Sequence, residues 1–542
     1  MEVFSYLTSI LCFGDSRRPC RFIFFTNTMQ WHPVLWTAAS LIFCSSLFLW
    51  FNRNRAGKEK GGRFPPGPRP WPLLGNLPVL NGNCLHRVLF NLACGKNGYG
   101  PLMGLRLGSR LAVVASDAYY AREILSTHDR IFATRPHFAF ADTIFYGYNS
   151  AVIFSSYNPK WARLRKIYTL ELFTAKRLRE LEFVRQEEVK DLIDRLQEES
   201  AAGTKEVDVG KAVSDMTANT TSRLVFSRKA EQFDLAGLVQ ELEDETTVIL
   251  RDFIPRLAFL DIKKMSRMKR LHDRIDAFLN PILAARRQLL RSLPPSELPH
   301  DFLQVLLSKE SCENEDERLT SHEIKGMLLD ILSAGVQTSA VASEWAITEL
   351  IRNPLCLRKL QEEIDSMKKD MITDNDTSQM PYLQDVVKEV FRLHAPAPLL
   401  VPRVSTEECR IGDYLLPKGT LAFVNTFAIG RNEVHWERPE EFRPERYTQH
   451  RLDPDGGQMK QNKMTVDIHG QHYELVPFGS GRRMCAGIRL GLSMVTVTLA
   501  NLVRFFDWEL PKGISPDAID MAEKGAISTS KATPLLAIPK RR

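Results

Sequence analysis

The stretch SHEIKGMLLDILSAGVQTSAVASEWAITELIR, residues 321–352, constrains what this chain can fold into more than any other. Thr320, with Glu323 three residues later, forms a capping box, and Asn353-Pro354 is a stop signal. A helix of that length spans about 48 Å, enough to cross a whole domain. Its central residues, LLDILSAGVQTSAVA, are nearly all apolar or small. A helix so uncharged in its middle belongs in a core or against a cofactor. The 542 residues leave ample material to bury one, in one large domain or in two.

Short strands and further helices are expected around that rod. LMGLRLGSRLAVVAS, residues 102–116, reads as two strands around Gly108 and Ser109, followed by a helix near 117–126. From about 157 to 350 the pattern is chiefly helical, with amphipathic stretches at 174–199 and 265–292. The later chain mixes short strands around 408–424 with a meander whose prolines and aromatics block long helices. The fold class that follows is mainly α with a smaller β portion.

Charge is distributed unevenly. Of the net +7, the first seventy residues contribute nine basic side chains against Glu2, Asp15 and Glu59. The remainder is nearly neutral, which argues against a nucleic-acid partner. No charged residue lies between Arg21 and Arg53, and PVLWTAASLIFCSSLFLWF, residues 33–51, has the length of a bilayer core. RNRAGKEKGGR follows as a positive-inside flank, and no small-residue cleavage pattern accompanies the apolar run. Residues 29–52 therefore read as a single-pass membrane anchor in contact with lipid, with the body in the cytosol. Residues 1–28 form an N-terminal extension without an assigned role. Residues 53–73 form a basic linker that Pro65, Pro66, Pro68 and Pro70 stiffen.

The nine cysteines form no CxxC or other close cluster, so a disulfide framework and a structural zinc or iron–sulfur site are both disfavoured. One cysteine stands out. In PFGSGRRMCAG, residues 477–487, Cys485 lies among glycines and arginines at the start of an apolar helix expected over 486–506. Helix N-terminal amides and the neighbouring Arg482 and Arg483 would depress its pKa. Gly479, Gly481 and Gly487 permit close backbone approach, and Phe478 shields one side. A hydrolase nucleophile, a redox sensor, a haem ligand and a plain buried cysteine all use one thiol. A nucleophile needs a histidine base, and His394, His469 and His472 lack relay spacing. The haem reading accounts for more, since one axial sulfur suffices and arginines can neutralise propionates.

Residues 478–487, FGSGRRMCAG, match the haem-binding signature of the cytochrome P-450 family in the order Phe, Gly, Arg, Cys, Gly. KEVFRLH carries Glu389 and Arg392, and FRPERY carries Arg446, which resemble the family's structural glutamate–arginine–arginine triad. WARLRK carries Trp161 and Arg165, similar to a helix pair that reaches a haem propionate. The resemblance covers roughly residues 60–540 and fits plant microsomal A-type members best, a group of flavonoid, phenylpropanoid and terpenoid hydroxylases.

This resemblance implies a triangular helical prism around haem b, with residues 74–542 as the haem-thiolate catalytic domain behind an N-terminal transmembrane helix in the endoplasmic reticulum. Cys485 would be the iron ligand, Trp161, Arg165, Arg403 and Arg483 the propionate contacts, and Phe478 and Gly487 the neighbours of the sulfur. Thr338, in AGVQTS, would return its hydroxyl to the carbonyl of Ala334 and support proton delivery to dioxygen. Family members carry Asp or Glu before that threonine, whereas this chain has Gln337, whose amide positions water but cannot shuttle a proton. The substrate pocket would take Phe138, Phe140, Ile144 and Phe145 from the first segment and Ser333 and Ala334 from the long helix. HAPAPLLVPR would add Ala397, Leu399 and Leu400, and the last loop Ile527 and Ser528.

The implied activity is insertion of one oxygen atom from O2 into a small apolar or aromatic secondary metabolite. Electrons would come from NADPH through the FAD- and FMN-carrying NADPH–cytochrome reductase, with cytochrome b5 as an optional helper. The chain itself shows no dinucleotide-binding fingerprint. A haem-thiolate dehydratase, isomerase or ring-coupling enzyme is the first alternative, and a non-catalytic haem-binding protein is the second.

Overall fold

The long helix expected at 321–352 occupies that range residue for residue. In the computed structural model, residues 62–542 are described, except 81, 83, 202–205, 231–233, 295–296, 316 and 450–465. The anchor expected at 29–52 and the extension at 1–28 lie outside the described residues. In chain order, the elements that position the site begin with helix α1 (Leu85–Cys94) and strands β1 (Leu102–Leu107) and β2 (Arg110–Ala115). Helices α2 (Pro159–Ile167), α3 (Glu182–Ala201), α4 (Val209–Phe226), α5 (Leu235–Glu245) and α6 (Ile262–Ser292) follow. Next come α7 (Ser321–Arg352), α8 (Pro381–Leu393), β3 (Arg403–Val404), β4 (Leu421–Val424) and α9 (Ile488–Phe505).

The capping box of α7 is formed in both directions: the Glu323 amide donates to Thr320 Oγ1 at 3.2 Å, and the Thr320 amide donates to Glu323 Oε2 at 2.7 Å. Such a cap stabilises a helix by about 1 kcal/mol. The helix is buried along most of its length because other elements surround it, with α4 and α9 as its main neighbours. Thr217 of α4 donates to the Val336 carbonyl at 3.1 Å, and Tyr168 donates to that of Met327 at 2.7 Å. Gly335 faces α4, where a Cβ would lie 3.4 Å from Thr221 Oγ1. Among the described residues α9 alone is long and apolar enough to cross a bilayer, but more than half of it is buried inside the protein, so it is a core helix.

A four-stranded sheet flanks the helices in the order β1-β2-β4-β3. Strands β1 and β2 form the expected hairpin, with Leu102 opposite Ala115 and a turn at Gly108, whose φ is +56°. Strand β4 runs parallel to β2 with Leu421 opposite Ala112, and β3 runs antiparallel to β4 with Arg403 opposite Ala422.

Three local expectations are corrected. The amphipathic run at 174–199 is two helices, Ala175–Glu180 and α3, broken at Leu181. The buried Arg185 turns back on this break, donating to the Leu178 and Leu181 carbonyls at 3.0 and 3.4 Å. The helix expected from 265 starts at Ile262 and continues through Pro281, which sits on its exposed face. Helix α9 begins at Ile488 rather than 486, because Gly481–Arg483 form a separate 3-10 turn ahead of the cysteine.

Candidate active site

The Cys485 loop is shaped by two glycines. Gly479 and Gly481 both have φ +68°, the left-handed region that side chains rarely adopt, and a Cβ on Gly481 would lie 2.1 Å from the Leu125 carbonyl oxygen. Gly487 needs no such freedom, with φ −91° and ordinary contact to the Phe173 ring at 3.5 Å. The Cys485 amide donates to the Phe478 carbonyl at 3.0 Å and closes the loop. Phe478 packs on Phe391 of α8 with ring centroids 5.1 Å apart, which places the cysteine between α8 and α9.

Cys485 is accessible at its own surface yet enclosed by the surrounding protein, the pattern of a group lining an interior cleft. Burial pushes the thiol pKa above its ordinary value, while the Gly487 amide and the Arg165 guanidinium pull it down. The expected depression of this pKa is therefore corrected: desolvation of the thiolate outweighs two favourable groups. Arg482 does not assist, since it points outward to Asp129 and Tyr157.

Beside this loop lie four buried or largely buried guanidiniums, Arg135, Arg165, Arg403 and Arg483. Arg483 donates to the carbonyls of Ala133, Val152 and Ser155 and lies 4.3 Å over the Trp161 ring. Arg165 donates to the Met484 carbonyl and Arg403 to that of Ser480. Arg135 donates to Ile153, Val401 and Pro402. Trp161 Nε1 donates to Val152 at 3.1 Å. Desolvation, joined by the neighbouring Arg403 charge, lowers Arg483 to about 9, and desolvation lowers Arg403 to about 10. None of the four hydrogen-bonds a carboxylate among the described residues, and Nη1 of Arg403 is buried without a partner. Buried cations are normally paired, so the cluster suits an anion with two carboxylates. Together with the open sulfur, these residues fit a haem and its propionates.

On the long helix, Thr338 Oγ1 donates to the Ala334 carbonyl at 2.6 Å, as expected, and α7 remains helical through it. Ala334 is exposed although Leu332 and Val336, two residues to either side, are buried, and Ser333 and Thr338 are partly open. An accessible patch halfway along a core helix marks the second wall of the cleft.

The expected pocket residues divide. Phe138, Phe140, Ile144 and Phe145 are buried and share an apolar cluster with α7; Phe140 and Phe145 pack against Phe154 at 4.9 and 5.0 Å. Ile527 packs against the same cluster. Leu400 packs with a different cluster, around Ile124 and Phe132, and Leu399 with the one under β1 and β2. Ala397 is partly exposed. Ser528 is buried and bound to Glu243 of α5 through both its amide and its hydroxyl.

Glu389, Arg392 and Arg446 come together in the interior. Arg392 Nε and Nη2 donate to the two oxygens of Glu389 at 2.8 Å each, and Arg446 Nε donates at 2.9 Å. The amide of Arg443 adds a fourth bond at 2.9 Å, while Arg392 also reaches the carbonyls of Gly430, Pro439 and Glu441. Helix α8 is thereby tied to the meander through bidentate, charge-assisted bonds.

Several site residues escaped sequence reasoning. Arg135 follows no local pattern, and only its burial beside Arg483 reveals it. Asp330 is fully enclosed, with Oδ2 accepting the Val152 and Ile153 amides at 2.6 and 3.1 Å, so α7 holds the segment whose carbonyls receive Arg483, Trp161 and Arg135. Cys84, His86 and Glu523 also converge, but Glu523 is occupied by His86 at 2.8 Å and Arg87 at 2.6 Å, which makes the trio a strut between α1 and the last loop.

Comparison with known proteins agrees with this geometry. The family model described as Cytochrome P450 matches residues 65–536. Flavonoid 3'-monooxygenase of Arabidopsis thaliana is 37% identical over 519 residues, covering 93% of this chain and 97% of that protein. Flavonoid 3'-monooxygenase of Petunia hybrida is 38% identical, with 88% and 92% covered, and salviol synthase of Salvia pomifera is 36% identical, with 92% and 97% covered. A zebra fish cytochrome P450 solved with abiraterone shares the fold at a TM-score of 0.67 and 24% identity, covering 84% of this chain and 99% of that one. The cysteine loop, the cation cluster and these matches lead to one conclusion: the chain belongs to the cytochrome P450 family, as a plant microsomal-type haem-thiolate monooxygenase that hydroxylates small aromatic or apolar metabolites.

Proposed function

We propose that this enzyme hydroxylates an aromatic ring of a flavonoid-type phenolic, and that Cys485 would hold the iron of haem b. The observation that carries the site is the set of four guanidiniums, none of which hydrogen-bonds a carboxylate among the described residues, beside an accessible sulfur. Arg135, Arg165, Arg403 and Arg483 would receive the two propionates, Trp161 would brace Arg483, and Phe478 and Gly487 would flank the sulfur. Bound there, haem supplies the activation of dioxygen with two electrons and two protons, placing one oxygen atom in the substrate and the other in water.

The chain's own residues bind, orient and deliver. Thr338 holds a hydroxyl proton in its bond to the Ala334 carbonyl, at the accessible patch of α7, and can exchange that partner for water. Gln337 cannot take up and release a proton, so solvent carries protons to this point and the amide orients them. The buried phenylalanines around Phe140 form a rigid apolar wall suited to a flat ring. The family resemblance supports electron supply from NADPH by a separate FAD- and FMN-carrying reductase, with cytochrome b5 as an optional donor. It also supports a single-pass anchor in the endoplasmic reticulum through residues 29–52. The flavonoid assignment rests on the flavonoid hydroxylases among the relatives.

The test uses full-length protein with reductase and NADPH, a flavanone bearing one hydroxyl on its B ring, and isotopically labelled dioxygen. A product carrying one labelled oxygen supports the assignment. A normal reduced carbon-monoxide spectrum with no flavonoid product would overturn the substrate but not the site. An unlabelled rearranged product would instead favour a dehydratase, isomerase or ring-coupling enzyme, the outcome that Gln337 makes worth testing.

A further inference from the structure

Helix α5 reaches the long helix at one polar point. Gln337 Nε2 donates to Gln240 Oε1 at 3.2 Å, and Gln240 Nε2 donates to Asp244 Oδ1 at 3.3 Å. Lys524 Nζ donates to the same oxygen of Asp244 at 3.0 Å. Three residues of the α5 end, Gln240, Glu243 and Asp244, thus bond to Gln337, Ser528 and Lys524 respectively, joining α5 to α7 and to the last loop. The positions 240, 243 and 244 have i, i+3, i+4 spacing and share one helix face.

The direction of this chain of bonds is fixed from its outer end. A carboxylate only accepts, so Asp244 compels Gln240 to present its NH2 group, which leaves Gln240 Oε1 facing α7. That oxygen in turn compels Gln337 to present Nε2. Gln337 Oε1 is then the remaining acceptor on the residue that precedes Thr338 in α7. A glutamine left to itself would offer an NH2 or an oxygen indifferently, and an acid would offer only oxygen. The orientation reproduces the acceptor that a carboxylate would supply at this position.

We propose that Gln240 is a positioning residue for oxygen activation: it orients the Gln337 carboxamide so that Oε1 accepts from water beside Thr338, and it makes that orientation depend on α5 being closed onto α7. This rests on the haem-thiolate reading above. Loss of the bond releases the amide to rotate, water beside Thr338 is no longer held, and dioxygen, having taken up two electrons from the reductase and two protons from solvent, leaves as hydrogen peroxide.

The experiment uses full-length holoenzyme with reductase and NADPH and no added substrate, comparing Gln240→Leu, Gln337→Leu, the double variant and Gln240→Glu. Peroxide released per NADPH oxidised is measured beside amide hydrogen exchange of residues 235–245 and the reduced carbon-monoxide spectrum. One net hydrogen bond corresponds to a factor of about 2–10 in a population, so both single leucine variants should raise the ratio of oxygen released as peroxide to oxygen reduced to water, obtained from the peroxide and NADPH readings, and the exchange rate by that factor. The double variant should match either single variant. Gln240→Glu, which keeps an acceptor for Gln337 Nε2, should restore the wild-type ratio. A Gln240→Leu ratio equal to wild type, or an undiminished Gln240→Leu effect in the Gln337→Leu background, overturns the proposal. Loss of the carbon-monoxide signal in the unaltered protein would instead defeat the haem-thiolate reading.

Discussion

Asp330→Asn should make folding less sensitive to pH. In the structure both amide donors, Val152 and Ile153, converge on Oδ2, and Oδ1 is buried without a partner. Asparagine can place its one carbonyl oxygen at the shared position and keep both bonds, so the substitution removes charge while conserving contacts. Burial raises this carboxyl from its ordinary 3.8 to about 7, against the lowering effect of the two amides, the nearby Tyr168 hydroxyl and the Arg483 charge. Between those pH values the folded chain holds a proton that the unfolded chain has released. This carboxyl therefore draws stability away as pH rises from about 4 to 7, and the loss is complete above that window. Each pH unit corresponds to about 1.4 kcal/mol, so the advantage of the variant should grow to roughly 4 kcal/mol at alkaline pH and vanish near pH 4. Denaturant midpoints of both proteins, measured from pH 4 to 9, give this difference directly. A difference that stays flat across the window, or that grows toward acid, would refute the assignment of a buried carboxyl that ionises at a cost.

Glu389→Gln leaves Arg392 and Arg446 buried without a counter-charge and should cost about 3–5 kcal/mol, read as a collapse in the fraction of expressed chain that retains haem. Cys485→Ser should abolish the reduced carbon-monoxide band characteristic of a thiolate while far-ultraviolet circular dichroism stays unchanged. Thr320→Ala removes the cap of α7 and should lower stability by about 1 kcal/mol in a denaturant titration, with no change in the carbon-monoxide spectrum.

Features written in local sequence were legible from it. The ends of α7 followed from Thr320, Glu323 and Asn353-Pro354, because caps and stops act within a few residues. The Thr338 back-bond and the i,i+3 pairing of Glu389 with Arg392 were legible for the same reason. Long-range electrostatics was not. Whether the Cys485 thiol rises or falls in pKa depends on total desolvation, which no ten-residue window contains. Arg135 is 348 positions from Arg483 in the chain, and nothing around it distinguishes it from a surface arginine until both are seen in one cluster. Leu399 and Leu400 join different apolar clusters because adjacent side chains in an irregular turn leave in different directions, and Leu400 adopts a left-handed φ of +50° that sequence does not announce.

Strand β3 is only two residues long, yet it sets which way one of the anion-seeking side chains points. Successive residues of a strand face opposite sides, so sliding β3 by a single position past β4 would exchange Arg403 for Val404 on the inner side. The sheet therefore acts as a ruler for the cofactor, and a change at Ala422, opposite Arg403 in the ladder, can reach the haem without touching it.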